Sequence, residues 1–282
     1  MGDGPLVLLL HGFPEFWWAW RHQLPALTAA GWHAAAMDLR GYGGSDKTPR
    51  GYDPATLTAD VTGVVRSLGD RQAVLVGHGW GGYVAWATAV LRPEYVTALA
   101  VLSMPHPMQL RRHLLRGLRQ ASHLLGVQTP LVPERRLLAD DAAYVESLLR
   151  RWTGPGSGFP DDEAAARYRA AMRLWPAPHC ALEYQRWAIR SMVRADGRRF
   201  AQQMQRPVTV PVLQIHGAAD RTVAGRAVTQ SRRHVSAPHR WVRLAGVGHF
   251  PHEEAPGRVN TELRDWLRDV TESRQAPGPG SC

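Results

Sequence analysis

Residues 73–87 read Ala73-Val74-Leu75-Val76-Gly77-His78-Gly79-Trp80-Gly81-Gly82-Tyr83-Val84-Ala85-Trp86-Ala87. An apolar run leads into a turn of glycines and then into a helix-like segment, so the stretch reads as strand, tight turn and helix. Such a turn holds one residue in a strained backbone conformation at the head of the helix. Small residues flank it because a Cβ there would clash. The residue at the apex is Gly79, so the position that would present a side chain presents none.

Working outward, Leu6 to Leu10 reads as a buried strand that runs into His11-Gly12-Phe13-Pro14-Glu15-Phe16-Trp17. Ala34 to Met37 is a second short strand, followed by the turn Asp38-Leu39-Arg40-Gly41-Tyr42-Gly43-Gly44-Ser45-Asp46. Downstream, Val212-Leu213-Gln214-Ile215 ends in His216-Gly217-Ala218-Ala219-Asp220, a strand delivering a carboxylate at its tip. Trp241 to Leu244 then leads to Gly248-His249-Phe250-Pro251-His252-Glu253. Strands alternating with helical segments indicate an α/β chain with a parallel sheet.

This succession of loop, elbow, acid and histidine resembles the α/β-hydrolase superfamily, and within it the epoxide hydrolase and haloalkane dehalogenase group. The opening HGFPEFWWAWRHQLP is most similar to epoxide hydrolases, and Trp80 directly after the apex is typical of members that use Asp as nucleophile. The resemblance runs from Pro5 to about Leu267. It implies a mostly parallel, doubly wound sheet with an inserted helical cap. Relatives place a two-stranded hairpin ahead of the HGFP strand, whereas here Met1 stands almost against it. About six strands are therefore expected. The strand near residues 32–37 becomes an edge with unpaired backbone groups, and a homodimer is the association such an edge invites.

In that group an elbow Asp attacks an epoxide carbon and forms an ester, which a water activated by a His–Asp pair then hydrolyses. Carried over by position, His249 is the general base and Asp220 the carboxylate that orients it. The amides of Phe13 and Trp80 form the oxyanion hole. Two cap tyrosines would hydrogen-bond the epoxide oxygen in the family. Alignment puts His123 and Gln185 at those places, with Tyr184 or Tyr168 as alternatives that swing in instead. Gly79 is the vacant nucleophile position. His252 is expected to pack or support, and His11 and His78 to brace backbone turns.

A chain of 282 residues with 44% hydrophobic content can bury one large core. Residues 1–106 and 207–271 are read as the hydrolase core, 107–206 as the cap and 272–282 as a flexible tail. The cap is read from helical spacing at Leu110, Leu114, Leu115 and Leu118, from 142–152, 163–174 and 181–193. The net charge is +10, and residues 107–206 hold 17 arginines against 9 acidic residues, so most of the excess lies in the cap. Only Lys47 among the 34 basic residues is a lysine, and no nucleic-acid-binding signature accompanies them. The basic face is read as a solvated surface, or as an attraction for an anionic ligand.

No apolar run has the length of a membrane span, and no secretory signal is recognisable, which points to the cytoplasm. Cys180 and Cys282 imply no disulfide framework, and Cys180 reads as a buried inert thiol rather than a replacement nucleophile. No metal-ligand spacing or dinucleotide fingerprint is present, so neither metal nor cofactor is expected. Three readings stay open: an enzyme in which His249 activates water or acts as base on a small organic molecule; a catalytically inactive binder of a small molecule or anion; and a glycine introduced by engineering.

Overall fold

The computed structural model describes residues 2–116 and 126–275. Six strands form one parallel sheet: β1 (Leu6–Leu10), β2 (His33–Met37), β3 (Ala73–His78), β4 (Val96–Leu102), β5 (Val212–Gly217) and β6 (His239–Leu244). Their order is β2-β1-β3-β4-β5-β6, which leaves β2 at one edge. Leu8 is paired with Ala35 on one side and Leu75 on the other, so the HGFP loop and the glycine turn leave the sheet side by side.

The four inner strands are apolar on both faces because helices cover both, as parallel sheets require. Leu8, Leu75, Leu99 and Val101 face one layer, together with α2 (Pro54–Ser67) and α3 (Gly79–Leu91). Val7, Leu9, Val74, Val76, Ala100 and Ile215 face the other, against Leu27 of α1 (Gln23–Ala29) and Leu263, Trp266 and Leu267 of the C-terminal helix. Every residue of α3 from Gly79 to Val90 is buried, which is why that helix is apolar all round rather than striped. Asp53 starts α2 by accepting the Thr56 N–H at 3.0 Å, with Pro54 at the first helical position.

Between β4 and β5 the chain leaves the sheet and builds helices: α4 (Pro107–Arg116), α5 (Val132–Trp152), α6 (Asp162–Met172), α7 (Ala177–Arg190) and α8 (Ala195–Gln203). Leu118 and His123 lie outside the described residues. The helix expected over 142–152 starts ten residues earlier, at Val132, and is broken at Ala139–Ala142, where Asp140, Asp141 and Ala142 have positive φ. Asp161 caps α6 by accepting Ala164 N–H at 2.7 Å. Helix α8 was not anticipated: only Gly197 and Phe200 are buried in it, too few for a readable apolar stripe. After β5 come α9 (Gly225–Thr229), α10 (Pro251–Glu254) and α11 (Pro256–Gln275). Helix α11 continues to Gln275, into the segment expected as a tail. No helix among the described residues is long and apolar enough to cross a membrane.

Candidate functional site

The parallel sheet brings the C-terminal ends of its strands to one side, and two loops there carry the charged pair. Asp220 stands three residues past β5 and His249 five past β6. Asp220 Oδ2 is 2.9 Å from His249 Nδ1. Its other oxygen accepts the N–H groups of Thr222 and Val223 and the Thr222 hydroxyl, at 2.7, 3.1 and 2.7 Å. Burial pushes the Asp220 carboxyl up, but the charge and hydrogen bond of His249, then His216 and Thr222, outweigh it and bring it to about 2.

Thr222 is a member of this group that the sequence reading missed. Its oxygen lies 2.7 Å from His249 Nδ1 while its proton is committed to Asp220. Two oxygens thus accept from Nδ1–H, which assigns the proton to that nitrogen and leaves the Nε2 lone pair for chemistry. A second imidazole, His216, has its Nδ1 3.7 Å from Asp220 Oδ2, and burial lowers its pKa.

Gly79 begins α3 with φ +50°. A Cβ built there would stand 3.8 Å from His249 Nε2 and 3.4 Å from Gly12 Cα, ordinary contact distances, so the position has room for a side chain directed at the histidine. Gly79, His249 and Thr222 line a cavity of about 80 Å³ with Phe13, Trp80 and Trp152. Trp80 is in the first turn of α3, whose N–H groups have no intrahelical acceptor. The remaining wall is largely apolar, including Met104, Leu110, Leu114 and Val223.

The loops around this cavity are held by buried polar side chains. Glu15 accepts the Gly12 N–H at 3.0 Å and bridges two imidazoles, His78 Nδ1 at 2.7 Å and His252 Nε2 at 3.0 Å. His78 Nε2 is 2.8 Å from the carbonyl of His249. Burial favours neutral groups here, but the mutual attraction holds Glu15 well below and His78 above their usual values; burial takes His252 down to about 4. His252 and His78 therefore brace the HGFP and His249 loops. Among the described residues this is the set of three potential metal ligands that comes together. Its Glu–His separations are direct hydrogen bonds, and Oε2 is also taken by Gly12 N–H. His11 braces a different turn, accepting Leu39 N–H at Nε2 over 3.0 Å.

The helical insertion reaches the same loop. His249 N–H donates to Trp152 O at 2.8 Å, and Glu254 accepts from Gly154, Gly248 and Phe250, tying loop and insertion together. Gln185, on α7, is buried and lines the cavity. Tyr184 does not line it: its hydroxyl donates to Arg40 O at 2.8 Å and its ring packs against Tyr42 and Tyr52. Tyr168 is likewise engaged elsewhere, hydrogen-bonded to Glu253. His113 on α4 lines the cavity and was not anticipated, because a lone histidine among arginines carries no signal. Cys180 is buried, and burial raises its thiol pKa, which disfavours the thiolate a nucleophile needs.

The sequence model of the alpha/beta hydrolase fold matches residues 5–256. The chain belongs to the α/β-hydrolase fold family. This α/β-hydrolase is similar to the AB hydrolase superfamily protein YfhM of Bacillus subtilis, with 31% identity over 95% of this chain and 91% of that one. It is 32% identical to Epoxide hydrolase A of Mycobacterium tuberculosis, over 93% and 90% of the two chains. Among solved structures, an epoxide hydrolase from an endophytic Streptomyces superposes with a TM-score of 0.82 at 31% identity, covering 96% and 91%. The Bacillus megaterium epoxide hydrolase in complex with an inhibitor gives 0.83 at 28%, covering 95% and 94%.

Proposed function

We propose that this α/β-hydrolase retains the water-activating half of an epoxide-hydrolase mechanism and lacks the ester-forming half. The observation that carries this is Gly79: it opens α3 at the elbow, has room for a side chain 3.8 Å from His249 Nε2, and has none, while the His249–Asp220–Thr222 group is complete. The similarity to epoxide hydrolases supports the choice of chemistry.

Without a carboxylate at position 79 no aspartyl ester forms. A water in the space beside Nε2 gives its proton to His249, and its oxygen attacks an electrophilic carbon, such as an epoxide carbon, whose C–O bond breaks. The released alkoxide takes the proton back from His249. Asp220 stabilises the imidazolium in between. Phe13, Trp80 and Gln185 line the cavity, and on this reading the first two offer their N–H groups to an oxyanion while Gln185 faces the substrate. Losing a nucleophile from a triad costs on the order of a million-fold, so turnover of ordinary epoxides is expected to be low.

A second reading is favoured by the same glycine. Phe13 and Trp80 line the cavity; with no carboxylate at position 79 to compete for their amides, on this reading the protein binds a small molecule or anion without converting it.

The test is restoration. Diol formation from small aryl epoxides is followed for the unmodified chain, Gly79→Asp, and Gly79→Asp with Gln185→Tyr. Turnover by the unmodified chain that His249→Ala abolishes supports water activation. Turnover in the restored forms alone leaves the binding reading, and no diol from any form overturns the epoxide-hydrolase ancestry of the site.

A further inference from the structure

We propose that the cavity at His249 takes an amphiphilic anion whose small end enters the cavity, whose apolar body fills a second chamber in the cap, and whose charged head pairs with Arg136 and Arg151. The inference rests on the site described above but not on turnover there.

The volumes carry the first step. The cavity beside His249 is only about 80 Å³, room for a few heavy atoms. A group that small buries too little apolar surface to bind well by itself. Phe13, Trp152 and Gln185 also line a chamber of about 360 Å³, so the two spaces adjoin at these three side chains. That chamber is walled by Val127, Leu137, Leu148 and Leu182, which suits a hydrocarbon or aryl body rather than a sugar or nucleotide.

The charge carries the second. Arg136 and Arg151 line the same chamber, with their guanidinium carbons 3.9 and 6.0 Å from the centroid of one ring, that of Tyr144. Several arginines of the insertion are matched with acids, Arg150 with Glu146, Arg169 and Arg173 with Asp141, and Arg186 with Glu134; Arg111, Arg198 and Arg206 donate instead to main-chain carbonyls outside this chamber. Among the described residues neither Arg136 nor Arg151 meets a carboxylate; Arg151 donates to the Ser147 hydroxyl at 3.0 Å. Two cations against one aromatic ring, both lining a largely apolar chamber and with no acid of their own, form a receptor for a carboxylate or similar head group.

The test reads binding, so it is decided whether or not His249 converts anything. Octanoate and octanamide are titrated calorimetrically into the full chain, into Arg136→Gln, into Arg151→Gln and into the double variant. Both positions are exposed, so the variants are expected to fold. The carboxylate should bind about tenfold tighter than the amide. Each single variant should lose about threefold of that preference, and the double variant nearly all of it, with amide affinity unchanged. The preference should also shrink as salt rises. Equal affinity for the two probes, a preference that survives in the double variant, or no binding of either overturns the proposal.

Discussion

Replacing Gly79 by alanine should cost about 1 kcal/mol, whereas the same replacement two residues on should cost several times as much. At Gly79 the added Cβ meets Gly12 Cα at 3.4 Å and His249 Nε2 at 3.8 Å, so no atom has to move. What remains is the left-handed backbone, φ +50°, which costs an ordinary residue about 1–2 kcal/mol. Alanine offsets part of this by narrowing the unfolded ensemble. At Gly81 the Cβ falls 2.2 Å from Leu10 O and 2.4 Å from His11 O. Those are main-chain atoms at the end of β1, in the middle of the sheet, and they cannot yield without dragging the HGFP loop away. The expected loss there exceeds about 3 kcal/mol, the upper range for overpacked cores. Urea unfolding followed by tryptophan fluorescence and circular dichroism measures both. A Gly79→Ala variant as unstable as Gly81→Ala would refute the reasoning, because position 79 would then be a packing glycine rather than an open seat at the elbow.

Thr222→Val keeps the shape of the cavity wall but leaves Asp220 as the single acceptor for His249 Nδ1–H; exchange of that proton, seen by NMR, should quicken, while Thr222→Ser preserves it. Glu253 is pushed up to about 7 by burial despite Arg21 and Tyr168, so it folds protonated between about pH 4.5 and 7, where the unfolded chain ionises freely. A raised acid loses stability as pH rises through that window, by roughly 3 kcal/mol; Glu253→Gln should flatten this loss in denaturation curves measured at its two ends. Glu15→Gln breaks a buried charge pair with His78 and loosens Gly12, and should lower stability by about 3 kcal/mol while the His78 pKa, read by NMR, falls.

The sheet was legible because its inner strands are short apolar runs that end in unusual punctuation. Val74 to Val76 before the glycines and Val212 to Ile215 before His216 leave no helical alternative. Their pairing in space then follows from the parallel order. The positions of Asp220 and His249 were legible for the same reason, since each follows a strand tip. Thr222 was not: a threonine two residues after an acid has no sequence signal until the loop turns its hydroxyl under the imidazole. The helices between β4 and β5 were read less well. They rest on few buried side chains, their arginines mask the apolar stripe, and the break at Ala139–Ala142 comes from positive φ at residues that do not favour it. Tyr184 was drawn toward the site by its place in the sequence, but helix α7 sends its ring down among Tyr42 and Tyr52 and leaves its neighbour Gln185 at the cavity.

The distribution of strain across the site bears on what the missing side chain means. At position 79 glycine removes a left-handed backbone cost that any other residue would carry. The other half of the site shows no such relaxation. The Asp220 side chain is a buried carboxylate, and His78 and Glu15 form a buried ion pair under the His249 loop. Burying charges costs several kcal/mol each before pairing offsets it, and well-packed apolar residues of similar size would serve stability as well or better. Packing alone therefore gives no account of why three loops are held by charged groups around one imidazole whose Nε2 faces a cavity. Positioning that nitrogen does give one, and this supports the water-activating reading proposed above.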